Sequence, residues 1–253
     1  MTTSTAPPRV RLRRSTFDRA TAMRLAADEY GRYLDQLRTL APDDWARPTD
    51  CPEWDVRAMA THNLGMAEMV TSMREYARQN AGAAKLGGEF IDALTGQQVQ
   101  ERAVLAPSEI VERYAAVAAS AARGRRRRSV QMGWVPMPVT QPLNGAAERW
   151  AFGFVFDTIL TRDTWMHRVD TAQATGRALV LTPEHDGVLV ADVVAEWAER
   201  HGRPYTLTLT GPAGGTWSRG SGGQVIELDA VEFCRTISHR LLGSGLLDTE
   251  VPF

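Results

Sequence analysis

Only two cysteines, Cys51 and Cys234, occur in the 253-residue chain. That is too few for a disulfide framework or a cysteine-rich zinc site. No apolar run approaches the roughly 20 residues needed to span a bilayer. Neither sign of charge is in excess, because 29 basic and 30 acidic residues leave a net charge of −1. This argues against general nucleic-acid binding. Lysine is nearly missing: Lys85 is the single example, and arginine supplies the other basic residues. Codon bias in a GC-rich genome explains that better than chemistry. No Gly-x-Ser-x-Gly nucleophile elbow between a strand and a helix is found. The glycines from Gly211 to Gly223 lack the following helix and the lysine of a phosphate-binding loop, and read as a hairpin connection. The opening segment, residues 1–14, is basic but has no apolar signal-peptide core. It reads as a disordered tail, and the protein as cytoplasmic.

What is present is helical periodicity. A first helix is expected from Ser15, with Asp18 completing an approximate capping box. Phe17, Ala20, Ala27, Tyr30, Leu34 and Leu37 recur along it near helical spacing. The loop from Trp45 to Trp54 carries two prolines and two tryptophans and reads as ordered. Asp55 is the expected N-cap of a second helix running to Ala81, with Gly82 as its stop. A shorter helix is expected at 89–94 and a long one at Pro107–Arg123, with Arg125–Arg128 as its solvated end. Three prolines make Val130–Asn144 read as a long crossover. A fourth long helix, 146–175, is expected to break near Gly153. Beyond Gly176 the pattern changes to a helix at 186–201, strands at 205–210 and 225–228, and a final helix at 230–242. The expected fold is α plus a small α+β part: a four-helix bundle over 15–177 and an α+β domain over 178–253.

One cluster points to chemistry. Asp163 and His167 stand at i and i+4, so they share a helix face. That face is apolar, with Phe156, Ile159 and Leu160, and an unpaired carboxylate there is costly. His62 lies on the inward face of another helix with Met59, Met66, Met69 and Met73. Together His62, Asp163 and His167 make a candidate three-ligand metal site with an open fourth position, as in catalytic zinc centres. The bland alternative is an Asp163–His167 ion pair with His62 hydrogen-bonded in the core. Asp170 could orient His167 from behind, or pair with Arg168 or Arg57; the structural role is slightly favoured. Cys51 reads as a packed thiol with no base nearby. His185 and His201 carry no signal.

Three motifs add a family resemblance. The segment Arg47-Pro-Thr-x-Cys-Pro-Glu-Trp-Asp-Val-Arg, followed after four intervening residues by His62, resembles the N-terminal signature of the mycothiol-dependent maleylpyruvate isomerase family, a branch of the DinB-like bundle metalloenzymes. Thr161 to Asp170 resembles its second signature. Glu232 to Arg240, with the closing Val-Pro-Phe, resembles its small sterol-carrier-protein-like C-terminal domain. The resemblance implies metal ligands at His62, Asp163 and His167, and a divalent metal for which zinc is the first expectation; iron and nickel suit the same ligands. It also implies mycothiol as thiol cosubstrate, a small electrophilic substrate, and Arg240 as a catalytic and cofactor-binding residue in the cleft between domains. Two positions depart from the family: Asp163 stands where Glu is usual, and His239 where Gly is usual. The arginine-rich composition is compatible with actinobacteria.

The expected function is thiol activation for addition to an electrophile, giving cis–trans isomerisation or S-transfer. Two rivals remain open. One is a biosynthetic isomerase or cyclase of this fold that does not use mycothiol. The other is a non-catalytic small-molecule binding protein. Oligomeric state is open between a monomer and a small homo-oligomer.

Overall fold

A computed structural model describes residues 12–253. The expectation of a disordered tail over 1–14 falls largely on residues outside that range. Its last residues do form structure: Leu12–Arg13 is strand β1, and Arg13 is buried. Helix α1 spans Arg19–Thr39. It starts later than expected because Asp18 is itself the cap, accepting from the amides of Ala20 and Thr21.

Asp55 does cap α2, Val56–Thr71, by accepting from Ala58 N at 2.7 Å. The expected long second helix, however, breaks at Ser72. Extended backbone there lets the Ser72 hydroxyl cap a new helix, α3, Met73–Leu86. Gly82 therefore lies inside a helix rather than ending one. Helix α4 is longer than expected, Phe90–Arg102. Helix α5, Pro107–Met132, absorbs the whole arginine run. Arg125 and Arg128 are buried, not solvated. Arg125 donates to Phe156 O and to Thr161 Oγ1, and Arg128 donates to Val70 O, so both satisfy groups left over at helix irregularities.

The stretch read as a crossover is a hairpin. Strand β2, Pro136–Leu143, runs antiparallel to β3, Ala146–Ala151, and β1 pairs parallel to β3 on its other side. The turn is Asn144–Gly145, both at positive φ, as a two-residue hairpin loop requires. The three prolines sit on an edge strand, where a missing N–H is tolerated. What was read as the start of the fourth helix is thus β3. A helical turn, α6 (Phe152–Phe154), and a π-helical turn, Val155–Ile159, then lead into α7, Leu160–Thr175.

Helices α1, α2, α5 and α7 form the bundle around a core that includes Tyr30, Tyr33, Leu64, Ile110, Tyr114 and Leu160. Helices α3 and α4 pack outside it, against α2. The close approach of α5 to α2 depends on Gly124, where any Cβ would run into the carbonyl of Val70.

After α7 come α8, Val188–His201, then β4, Tyr205–Thr210, β5, Gly215–Arg219, and β6, Gln224–Asp229. Helix α9, Ala230–Ile237, follows. The glycine-rich stretch contains a strand the sequence reading missed: β5 forms a hairpin with β4, whereas β6 lies parallel to β4 on the other side. A second core joins this part to the bundle, since Leu25 of α1 and Trp165, Met166 and Val169 of α7 pack with Val193, Trp197, Leu207 and Phe233. Buried ion pairs reinforce the junction. Arg162 meets Asp192 and Glu196, and Arg168 meets Glu29 and Asp186. His185, read as an uninformative loop residue, is buried in the second of these networks, 2.6 Å from Glu29.

Candidate metal centre

Three helical positions converge at the floor of an open cleft of about 490 Å³. His62 comes from α2, and Asp163 and His167 from α7, one turn apart. His62 Nε2 lies 3.5 Å from Asp163 Oδ2, and His167 Nε2 lies 3.4 Å from Asp163 Oδ1. One ligand atom from each residue falls within 4.8 Å of the others. These separations are long for hydrogen bonds. They match a shared ion better, since two donors each about 2.0–2.1 Å from a tetrahedral centre stand roughly 3.3–3.4 Å apart. The aspartate, one methylene shorter than glutamate, still reaches both imidazoles. It is also the most accessible of the three, with its side chain 21% exposed against 3% for His62 and 7% for His167.

The other nitrogen of each imidazole is held from behind. His62 Nδ1 contacts Gln98 Oε1 at 2.8 Å. The orientation of that amide follows from its neighbours. Gln98 Nε2 donates to Gln79 Oε1, and Gln79 Nε2 donates to Glu75 Oε1, at 2.8 and 2.9 Å. A carboxylate only accepts, so Glu75 orients Gln79, Gln79 orients Gln98, and Gln98 Oε1 is left to accept from His62 Nδ1–H. The lone pair of His62 Nε2 is then directed at Asp163 and His167. On the other side, His167 Nδ1 faces Asp170 Oδ2 at 3.2 Å. This is the backing that metal-ligating histidines ordinarily have. Asp170, for which a structural role is the slightly favoured expectation, thus stands behind His167, and neither Arg168 nor Arg57 is its partner. Gln79 and Gln98 were missed altogether, because glutamine on a helix face carries no signal in a single sequence.

The electrostatics follow from the geometry. Burial alone would raise the Asp163 carboxyl, but the two facing imidazoles, His167 foremost, outweigh it and hold it well below the usual carboxylate range. Burial opposes charge on His167, yet Asp163 in front and Asp170 behind raise it to about 9. In the metal-free protein the two form an ion pair at the floor of the cleft.

Arg240 is placed at the back of the centre. Its guanidinium binds Asp170 in bidentate fashion, Nε to Oδ1 at 2.6 Å and Nη2 to Oδ2 at 2.8 Å. Cys51 Sγ, 3.9 Å from Arg240 Nη2, lies within ligand-atom reach of both His167 and Asp170 and lines the cleft. His167 and Asp170 therefore stand close to it, but the imidazole is held protonated and the carboxylate is bound by Arg240, so neither is placed to act as its base. Burial first, then the Asp170 charge, pushes the thiol up to about 11, so it is a neutral wall group at physiological pH. Trp54 lies beside both imidazoles, with ring centroids 5.0 Å from His62 and 5.9 Å from His167. The Cys-Pro-Glu-Trp loop supplies one wall of the cleft, and Ile91, Asp92, Thr95 and Gly96 of α4 supply the facing one.

His239 explains why α9 ends early. Its φ is 62°, in the left-handed region. The Arg240 amide bonds Arg235 O and the His239 amide bonds Thr236 O, which together make a Schellman motif. Glycine is the residue this position favours. The turn that ends the helix is also what carries Arg240 to Asp170.

The fold and this geometry define a class: a helical-bundle protein in which two histidines and a carboxylate meet on the floor of an open cleft. The chain belongs to the mycothiol maleylpyruvate isomerase N-terminal domain family, whose description matches residues 26–172. Uncharacterized proteins from two strains of Mycobacterium tuberculosis are each 26% identical to it over 229 residues, covering 82% of this chain and 80% of theirs. The crystal structure of a mycothiol-dependent maleylpyruvate isomerase has a similar fold, with a TM-score of 0.56 at 14% identity over 89% of this chain and 90% of that one. A histidine-to-alanine mutant of that isomerase superposes with a TM-score of 0.53. No helix among the described residues is long and apolar enough to cross a membrane.

Proposed function

We propose that this protein is a mycothiol-dependent metalloenzyme that adds a thiol to an electrophilic small molecule. One observation carries the reading: His62, Asp163 and His167 converge at the floor of a cleft, each imidazole backed at Nδ1, in a chain of this family. His62, Asp163 and His167 would hold the divalent ion. When bound, such an ion lowers the pKa of a coordinating thiol and makes it a nucleophile at neutral pH.

The chain's own residues do the rest. Gln98 and Asp170 fix the imidazole tautomers and keep both Nε2 atoms facing inward. Arg240 neutralises Asp170, so that carboxylate orients His167 without adding net charge. Trp54 covers the imidazoles and restricts water around them. The thiol proton leaves to solvent, and the sulfur lone pair forms a carbon–sulfur bond as the alkene π pair moves onto the carbonyl-conjugated carbon. Rotation about the new single bond and expulsion of the thiolate restore the alkene in the trans form; protonation of the carbanion gives the S-conjugate instead. No protein nucleophile is needed.

The test is metal analysis of purified protein together with mycothiol-dependent turnover of a cis-alkene electrophile by wild type and by His167→Ala. Bound metal and turnover that both disappear in the variant are expected. A well-folded, metal-free wild type would overturn the enzyme reading in favour of a binding protein. Metal with no thiol dependence would favour a biosynthetic isomerase or cyclase, a reading that Asp163 in place of glutamate keeps in view.

A further inference from the structure

The cleft above the candidate centre is acidic. Glu53 on the Trp54 loop and Asp92 at the start of α4 stand on its two walls, and both are solvent-exposed. Neither makes an ion pair among the described residues. No lysine or arginine lines the cleft among those residues. The arginines on the surrounding elements are engaged elsewhere: Arg240 with Asp170, Arg235 with Asp50, and Arg57 with the carbonyls of Ala103 and Leu105. Arg240 in particular has two of its three nitrogens on one carboxylate, so it is not a free receptor for a substrate's own carboxylate. Apolar contact is available instead, from Trp54 and from Ile91, whose side chain is exposed at the mouth.

Charge counting points the same way. A divalent ion on the floor would be offset by Asp163 and by one thiolate, which leaves Glu53 and Asp92 uncompensated. An incoming dianion would meet like charge on both walls, and like-charge juxtaposition is the usual device for rejecting a ligand class.

We propose that this cleft selects electrophiles that carry no carboxylate, and that Glu53 and Asp92 are its specificity-determining residues. The inference rests on the reading of the cleft as a site of thiol addition, and it names the substrate class: uncharged, conjugated cis-alkenes such as esters or ketones. Exposed rim charges are partly screened by water and salt. The selectivity they impose is therefore modest, roughly five- to twentyfold for the pair.

Dimethyl maleate and maleate share a carbon skeleton but differ in charge and in intrinsic reactivity toward thiols, so their kcat/KM ratio with mycothiol, divided by the ratio of their uncatalysed thiol-addition rates, measures this selectivity. Wild type favours the diester. In the Glu53→Gln/Asp92→Asn double variant the ratio falls by roughly five- to twentyfold, through a lower KM for maleate. Raising the salt concentration narrows the wild-type ratio in the same direction. Preference for maleate in wild type, or a ratio unmoved in the variant, overturns the proposal.

A second measurement does not depend on turnover. Ligand-observed NMR with the saturated pair, dimethyl succinate and succinate, reports binding to wild type and to the double variant. Exclusion of succinate by wild type and its admission by the variant uphold the proposal even where neither alkene turns over, a result that would count against thiol addition alone. Equal binding of the two succinates by wild type, or binding of neither to either protein, overturns it.

Discussion

At the residue scale, Asp163 and His167 face each other as an ion pair in the metal-free protein. His167 is raised to about 9 by Asp163 and Asp170, above its ordinary value near 6.5. Its contribution to metal-free stability is therefore complete below about pH 6.5 and is lost as pH rises through about 9. Asp163 is depressed, so its contribution is present above its ordinary range and is lost only on strong acidification. A metal must displace the His167 proton, so uptake near pH 7 should release about one proton. Calorimetry in buffers of different ionisation enthalpy measures that release. Metal affinity should rise about tenfold per pH unit from 7 and level off above pH 9. A pH-independent affinity over that range would contradict the assignment. His239 offers a separate test: the left-handed conformation costs a non-glycine residue about 1–2 kcal/mol. His239→Gly should accordingly raise thermal stability by about 1 kcal/mol. The Asp163–His167 pairing was legible in the sequence because i and i+4 share a helix face. That Gln98 stands behind His62, and Arg240 behind Asp170, was not, because those contacts span 36 and 70 residues.

At the element scale, α4 matters more than its short expected length suggested. It delivers Gln98 to His62 and Asp92 to the cleft wall. Gly65 of α2, close to His62 on the same helix, makes room for it: a Cβ there would stand 2.7 Å from Gln98 Cγ. Gln98→Leu should lower metal affinity by roughly 10- to 100-fold, the usual effect of losing an outer hydrogen-bond partner. Gly65→Ala, which displaces Gln98, should act in the same direction. Competition with a chelating dye measures both, and circular dichroism checks that the helices persist. The elements that differ from expectation do so for local reasons. Proline suggested a loop at 136–142, although Asn144–Gly145 is a hairpin signature and an edge strand tolerates proline. Long periodicity suggested one helix where Ser72 caps a second. Glycine-rich turns hid the five residues of β5.

At the scale of the whole molecule, Arg162 and Arg168 project from α7 into the C-terminal part while Asp163 and His167 of the same helix face the cleft. One helix thus anchors the two parts and carries two members of the candidate centre. Arg162 has only 2% of its side chain exposed and bridges Asp192 and Glu196. Removing one partner of a buried pair typically costs about 3–5 kcal/mol. Arg162→Ala should destabilise the protein by that amount in chemical denaturation. Loss of under 1 kcal/mol would show that the junction contributes little.

The chain by itself determined the helical class, the Asp163–His167 pair and the family motifs that join His62 to it, because these follow from local periodicity, capping and short-range spacing. Only the tertiary structure decided which polar groups stand behind the imidazoles, that Arg240 is committed to Asp170, and that the cleft is acidic. Those facts arise where α2, α4, α7 and the segment after α9 meet. Contacts between elements far apart in sequence leave no pattern along it.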